Sequence, residues 1–402
     1  MKKRLYILIK GLAVTLDIFI IFLAASMVYF NVTIPESYSV TKDENINFVS
    51  CLSLKGCENI EKTREDGELY FLNTIPVKTV ELNLVDRKTV TVSGAPFGIK
   101  MITRGLMVVG LTDVCSENGR INPAKEAGIE VGDIILSINS KKLRSNEQLG
   151  LIVENSGGEE LDFMISRNGE IERKKVTPIK SVGDKQYRIG IWVRDSSAGI
   201  GIMTYIDKNS GTFAGLGHPV CDIDIGDVMP LKSGEIMRTS ITGCQKGRVG
   251  APGELKGKFE GYASIGEITI NSETGIYGNI KNNIFKGREV PIAYNNEIKL
   301  GKASILTTVD GDGPEEYSVV IEKLNSPQHK TQNMVVRVTD KRLLEKAGGI
   351  VQGMSGSPII QDGRLVGAVT HVFVNDPTRG YGIFIENMMD TQNKYKSTKA
   401  SA

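Results

Sequence analysis

A multidomain, mainly β chain behind an N-terminal transmembrane helix is the fold class that three observations predict. The first 30 residues join a basic end to an apolar run, the middle carries short helical patterns between glycine-marked strands, and the last half holds strand-like runs with glycine-flanked polar motifs. The 402 residues, 40% hydrophobic and 24% charged with a net charge of +2, suffice for two cores beyond the membrane segment. No basic cluster or aromatic platform suggests nucleic acid, and none is expected as a partner.

Residues 1–30 carry the membrane signal. Lys2, Lys3, Arg4 and Lys10 precede a mainly apolar run from Gly11 to Phe30, about 20 residues and roughly 30 Å as a helix, enough to span a bilayer. The positive-inside rule keeps the short basic end cytoplasmic and sends the rest across. Asp17 costs roughly 2.5–3.5 kcal/mol at the centre of a spanning helix, which Ile18-Phe19-Ile20-Ile21-Phe22-Leu23 offsets. A cleaved signal peptide is the alternative, since Ala24-Ala25-Ser26 resembles a small-residue cleavage site. Either reading places the folded part outside the cytoplasm.

Residues 31–91 read as a stalk with strand-like stretches such as Thr79-Val80-Glu81-Leu82-Asn83-Leu84-Val85. The five cysteines are an odd number, so at least one stays free or pairs between chains. Cys51 and Cys57 flank a short loop and are placed to bridge. Cys221 and Cys244 invite either a disulfide or a zinc site, but no fourth ligand is spaced to complete a tetrahedron, so neither metal nor cofactor is expected.

From 92 to 180 the pattern resembles an α+β PDZ domain of the bacterial protease type. Its most specific part is Pro123 to Asn139: a short helix packs by its alanines, Gly128 ends it, and Gly132-Asp133 turns into a buried strand. Phe97-Gly98-Ile99 matches the loop whose amides receive a peptide's terminal carboxylate, and Leu149, Ile152 and Val153, at helical spacing, form the other wall of a groove. A peptide, either a C-terminus or an internal segment, would add a strand there. The alternative is that these apolar residues fill the PDZ core.

The chemistry lies in residues 186–392, ahead of a disordered tail at 393–402. Gly353-Met354-Ser355-Gly356-Ser357-Pro358 holds a serine between glycines ahead of an apolar strand. Ile359-Ile360, the turn Asp362-Gly363, the strand Leu365 to Val374 and Gly380-Tyr381-Gly382 follow, the layout of a chymotrypsin-like active-site half-barrel. Upstream, Gly215-Leu216-Gly217-His218-Pro219 sets one of only three histidines in a tight bend. Serine needs an imidazole within reach and a carboxylate to fix the imidazole's tautomer. Ser355 and His218 fill the first two roles. Asp340, ending the alternating strand Met334 to Thr339, is the candidate acid, with Asp222, Asp224, Asp227 and Asp376 as substitutes. Asp340 also reads as the cap of a short helix, Lys341 to Ala347, closed by Gly348. The amides of Gly353 and Ser355 form the expected oxyanion hole. His371, with Thr370, Gly380 and Gly382, would wall a specificity pocket; His371 reads equally as a half-buried strand histidine bonded to a carbonyl.

With these motifs in view, the chain resembles the SpoIVB peptidase family, membrane-anchored PDZ serine peptidases of endospore-forming bacteria. The resemblance covers nearly the whole chain. It is most specific at Phe213 to Pro219, at Gly349 to Ile360 and at Gly367 to Phe373, and it implies a chymotrypsin-like double β-barrel. The family's His, Asp and Ser fall on His218, Asp340 and Ser355. The resemblance further implies a sporulation signalling protease in the forespore intermembrane space that releases itself by self-cleavage. Its second substrate would be a membrane regulator restraining an intramembrane protease, and the cut would trigger activation of sigma-K. Two other classes use the same parts: an HtrA-like quality-control protease of exported proteins, and a non-catalytic PDZ scaffold.

Overall fold

The computed structural model describes residues 2–34, 36–41, 52–55, 64–281, 286–325 and 329–400. Cys51 and Cys57, expected to bridge, lie outside the described residues. Helix α1 (Lys2–Thr33) contains the span Lys10–Val32, 23 residues with a mean hydropathy of 2.3 and none of it buried. A helix of that length and composition fits a single-pass anchor, because lipid can cover the apolar side chains that no protein contact covers.

The stalk is folded. Strands β1 (Ser37–Val40), β2 (Leu52–Lys55), β3 (Arg64–Phe71) and β4 (Ile75–Leu84) form a sheet in the order β1-β4-β3-β2, with β1 parallel to β4. Leu69, Val80 and Leu82 alternate inward and close a small core with Ile34 and Val40.

The chain then enters a barrel, leaves it, and returns. Strand β5 (Thr89–Val92) leads to β6 (Pro96–Leu111), whose first half belongs to the barrel and whose second half belongs to the PDZ module. The module continues through β7 (Val114–Ser116), β8 (Gly119–Ile121), α2 (Pro123–Glu126), β9 (Ile134–Ile138), β10 (Lys141–Lys142), α3 (Asn146–Asn155), β11 (Leu161–Arg167), β12 (Glu170–Val176), β13 (Ile179–Lys180) and β14 (Tyr187–Arg188). It ends within β15 (Ile191–Asp207), where Ile191 to Arg194 pair with the PDZ half of β6 and later residues pair with its barrel half. The module is therefore an insertion between two barrel strands. Residues 92–103 belong to the barrel, not to the PDZ domain as the sequence pattern suggested. Inside the module, Asn122 caps α2, and the Arg167 guanidinium holds the buried Asp133 carboxylate at 2.7 and 2.8 Å while also donating to the Gly128 carbonyl.

Four more strands complete the first barrel: β16 (Thr212–Gly215), β17 (Leu231–Gln245), β18 (Glu254–Ser272) and β19 (Gly275–Ile280). The order β6-β17-β18-β19-β16-β15 closes because β15 also pairs with β6. Phe97, Met101, Met203, Phe213, Ile236 and Ile276 fill it. After β20 (Arg288–Pro291), the second closed barrel comprises β21 (Gly301–Thr307), β22 (Glu315–Leu324), β23 (Met334–Val338), β24 (Pro358–Gln361), β25 (Arg364–Phe373) and β26 (Asp376–Phe384), with α4 (Lys341–Ala347) between β23 and β24. Two six-stranded barrels side by side are the chymotrypsin-like architecture. Closure leaves neither barrel with an unpaired edge along its full length.

Helix α5 (Ile385–Ala400) covers residues that the sequence suggested would be a disordered tail. Ile385, Met388 and Met389 anchor it in a core shared with Tyr205, and the Tyr205 hydroxyl donates to Gln392 Oε1 at 3.0 Å. Burial pushes the Glu386 carboxyl up to about 7, although it accepts the Asn295 amide at 2.5 Å. An acid raised in the folded state binds more protons there than when unfolded, so stability falls as pH rises from its ordinary value of 4.5 through about 7. Glu386→Gln keeps an acceptor without the charge. The Tm of the wild type is expected to drop between pH 5 and pH 8 while the variant drops less, a difference that calorimetry at the two pH values measures.

Candidate active site

The two barrels meet along a cleft of about 490 Å³, within the range of ligand sites. From the first barrel come His218, just beyond β16, and Ser197 to Ile200 of β15; from the second come Gly353, Ser355, Thr370 and His371. Much of the remaining wall is apolar, including Leu216, Ile350 and Val372.

A left-handed turn delivers His218. Leu216 and Gly217 have φ of 68° and 72°, and the Gly217 amide bonds back to the Gly215 carbonyl at 2.9 Å. Leu216 is a non-glycine residue in this region, held by burial; its side chain fills the space beside Gly201, where a Cβ would come within 2.1 Å of it. The imidazole Nδ1 lies 2.8 Å from the Pro219 carbonyl. A carbonyl only accepts, so Nδ1 carries the proton and Nε2 is left as a base. Burial and the neighbouring His371 hold the imidazole well below its usual value, at about 4. The two rings face each other at 4.7 Å between centroids, inclined by 37°.

Ser355 sits in a turn fixed on both sides. Gly353 and Gly356 have φ of 91° and 93°. Met354 is fully buried beneath the turn, and the amides of Gly356 and Ser357 bond to Val369 and Met354. The Ser357 hydroxyl, also buried, reaches Thr307 Oγ1 at 2.9 Å. The first barrel grips the same turn: Ile202 N–H donates to the Ser355 carbonyl at 2.9 Å and Thr204 Oγ1 to the Gly356 carbonyl at 2.8 Å. Ser355 Oγ donates to the Thr370 carbonyl at 2.6 Å. Among the described residues the amides of Gly353 and Ser355 meet no acceptor, whereas those of Met354, Gly356 and Ser357 each do.

Asp340 stands apart from this cleft. It caps α4, its carboxylate accepting the Arg342 amide at 3.0 Å, the Arg342 guanidinium at 3.0 and 3.2 Å, and the Ser318 amide at 3.2 Å. Arg342 holds its carboxyl below the usual range. His218 and Asp340 are not in contact. The substitutes fare no better: Arg194 holds Asp222 and Asp224, Arg379 and Thr378 hold Asp376, and neither these nor Asp227 line the cleft. The group on Nδ1, where an acid was expected, is the Pro219 carbonyl. No sequence pattern distinguishes one backbone carbonyl for that role.

Of the expected pocket residues, Thr370 and His371 line the cleft, while Gly380 and Gly382 do not. Gly380 stands behind it, where a Cβ would meet Ile350 Cδ1 at 2.7 Å, and a Cβ on Gly382 would enter the barrel interior against Ile359 and Met334. Cys221 and Cys244 are free thiols, so no disulfide joins them beside the site.

The loop expected to receive a peptide lies in the first barrel. Phe97 is buried in the first barrel, Ile99 borders the peptidase cleft, and a Cβ on Gly98 would lie 2.4 Å from the Phe259 ring. All three are paired to strands on both sides, β15 and β17, which leaves no room for a peptide. The loop Arg188-Ile189-Gly190-Ile191 repeats the apolar-Gly-Ile pattern and leads into the start of β15, which packs near α3. Gly190 (φ 76°) is required there, since a Cβ would meet the Thr112 carbonyl at 2.4 Å. Leu149 and Val153 are buried in the PDZ core and Ile152 packs against it, so α3 turns these side chains mainly inward.

Two closed barrels with a glycine-flanked serine and a histidine across their seam, interrupted by a PDZ module, define a PDZ-bearing serine protease of the trypsin-like class. The family model for the SpoIVB peptidase S55 matches residues 185–389 and a PDZ domain model matches residues 122–165. The chain belongs to the SpoIVB peptidase S55 family. It is similar to a protein described as "Probable protease eep" of Enterococcus faecalis, 35% identical over 89 residues, covering 21% of each chain. It is also similar to the zinc metalloprotease RasP of Oceanobacillus iheyensis, 36% identical over 67 residues, 15% of this chain and 16% of that one. The chain thus spans about a fifth of the length of these relatives. Among solved structures, Deg5 aligns over 48% of this chain and 81% of its own at 16% identity, and the Rv3671c protease of M. tuberculosis over 48% and 72% at 10%, each with a TM-score of 0.28.

Proposed function

We propose that the chain is a serine endopeptidase in which Ser355 is the nucleophile and His218 the general base. The observation that carries this is the convergence of Ser355, a histidine with a free Nε2 and two unpaired amides on one apolar cleft. Attack on a peptide carbonyl needs Ser355 Oγ to leave the Thr370 carbonyl and turn toward His218. His218 takes the proton, the Gly353 and Ser355 amides hold the oxyanion, and His218 then protonates the leaving amine. The acyl-enzyme is hydrolysed by water activated in the same way.

In a His-Asp-Ser triad Asp340 would touch His218. Its contacts instead support a positioning role, in which the capped α4 steadies the segment leading into the Ser355 turn. Family membership supports the finer reading: a membrane-anchored sporulation signalling protease, acting outside the cytoplasm, that cuts itself and a membrane regulator of an intramembrane protease to trigger sigma-K activation. The PDZ module would select or regulate these substrates.

Intact-mass analysis over time of the extracytoplasmic part tests the chemistry and the acid together. Wild type is expected to clip itself and Ser355→Ala to stay whole. Asp340→Asn, which keeps a capping oxygen, is expected to clip within about tenfold of the wild-type rate, whereas loss of an orienting triad acid costs about 10⁴-fold. A wild-type chain that stays intact even with a membrane-regulator substrate would overturn the peptidase reading.

A further inference from the structure

The peptidase cleft and the PDZ module share a strand. Strand β15 runs unbroken from Ile191 to Asp207. Its residues 191–202 pair with β6 on one side, which β5 continues at Tyr205 and Ile206, whereas the pairing on its other side, with β16, involves only residues 203–207. Among the described residues, no strand covers the other edge of 191–202. Trp192, Ser196, Ala198 and Gly199 on it are exposed. At one end the edge lies beside α3, where the Asn146 amide donates to the Asp195 carboxylate at 3.1 Å. At the other, Ser197 to Ile200 wall the cleft that holds His218 and Ser355. Ile202 N–H points out of this edge to the Ser355 carbonyl. Strand alternation turns the amides of Ile200 and Ala198 the same way, where they are open to an incoming chain.

We propose that the part of a protein substrate following its scissile bond lies antiparallel along this edge, from Ile200 back to Ile191, with its tail in the groove between β15 and α3. The inference rests on the peptidase reading of Ser355. His218 must hand its proton to the leaving amine, so the departing half of the substrate sits on His218's barrel, the one to which β15 belongs. Because β15 runs from groove to cleft, an antiparallel chain runs from cleft to groove, which is the direction the departing half must take. The register shifts at Trp192/Val193 and Arg194/Ser196 bend the path where the strand passes from module to barrel. With about 3.3 Å per residue, the path spans on the order of 30 Å, so the edge acts as a ruler for about 8–12 residues after the cut.

The test digests a proteome-derived peptide mixture with the whole chain and counts the residues left after each cut, while a fluorophosphonate reports whether Ser355 is reactive. Cuts are expected to concentrate about 8–12 residues before the C-terminus, and Ala198→Pro, which removes an outward amide, is expected to erase that preference. Cuts at all distances, with Ser355 still labelled, overturn the ruler and leave the peptidase reading standing. If neither cutting nor labelling occurs, the peptidase reading fails and binding decides the ruler. Trp192 is the chain's only tryptophan and lies exposed on this stretch of β15, its Nε1 donating to Thr112 Oγ1 at 2.9 Å. In the Ser355→Ala chain, a twelve-residue Thr-Val repeat peptide should shift its emission at concentrations about tenfold lower than a four-residue one, because the longer backbone adds strand contacts. Equal midpoints would overturn the proposal.

Discussion

Ser355→Ala is expected to lower turnover roughly 10⁴-fold or more, and His218→Ala by a similar factor. The double variant should be little worse than either single one, because a nucleophile without its base and a base without its nucleophile are equally idle. The pH profile tests the mechanism further. A base works when neutral, and His218 is held at about 4 by burial and by His371. Activity should therefore persist through pH 6 and fall only as the pH drops through about 4, where an unperturbed imidazole would already have failed near 6.5. His371→Ala removes one of the two causes, so the acid limb should move upward. Measuring kcat/KM from pH 3.5 to 9 on wild type and His371→Ala checks both. An acid limb near 6.5 in the wild type would mean that His218 is solvated or carboxylate-paired during catalysis.

The parts of the site legible in the sequence were those whose chemistry is local. Gly215 to Pro219 and Gly353 to Pro358 each carry their turn geometry in their glycines, so His218 and Ser355 stand out without knowledge of the fold. The carbonyl on Nδ1 and the stacking of His371 on His218 depend on how two barrels come together, and no spacing encodes either. Asp340 was ambiguous for a physical reason: an aspartate after a strand and before Lys341-Arg342-Leu343-Leu344 suits a cap as well as an orienting acid, and only its partners decide. The PDZ boundary was hidden because β6 runs unbroken from barrel into module. Apolar-Gly-Ile occurs at both Phe97-Gly98-Ile99 and Ile189-Gly190-Ile191, and the first copy is the one that packs inside the barrel. An inserted domain leaves no linker composition when the strands themselves cross the border.

Gly356→Ala is expected to damage both the fold and the activity, through the seam between the barrels. Its φ of 93° already disfavours an L side chain. A Cβ there would also lie 2.0 Å from the Ile202 carbonyl oxygen and 2.5 Å from the Leu216 amide nitrogen, both backbone atoms that no rotamer change can move. Those two neighbours belong to the strand that bonds the Ser355 carbonyl and to the turn that delivers His218, so relief of the clash must separate nucleophile from base. Strain and overpacking together should cost roughly 2–5 kcal/mol of stability, and a displacement near 1 Å at the reacting groups should cost about 10²-fold in rate even where the chain stays folded. Gly363 supplies the comparison, because it has a φ of 75° and nothing within 4 Å of a Cβ. Gly363→Ala should lose only the conformational part, about 1–2 kcal/mol, and keep its rate of Ser355 labelling. Thermal unfolding and fluorophosphonate labelling of the two variants, side by side, separate backbone strain from the fit of the barrels. Equal labelling rates would mean that the site does not depend on the contact at Gly356.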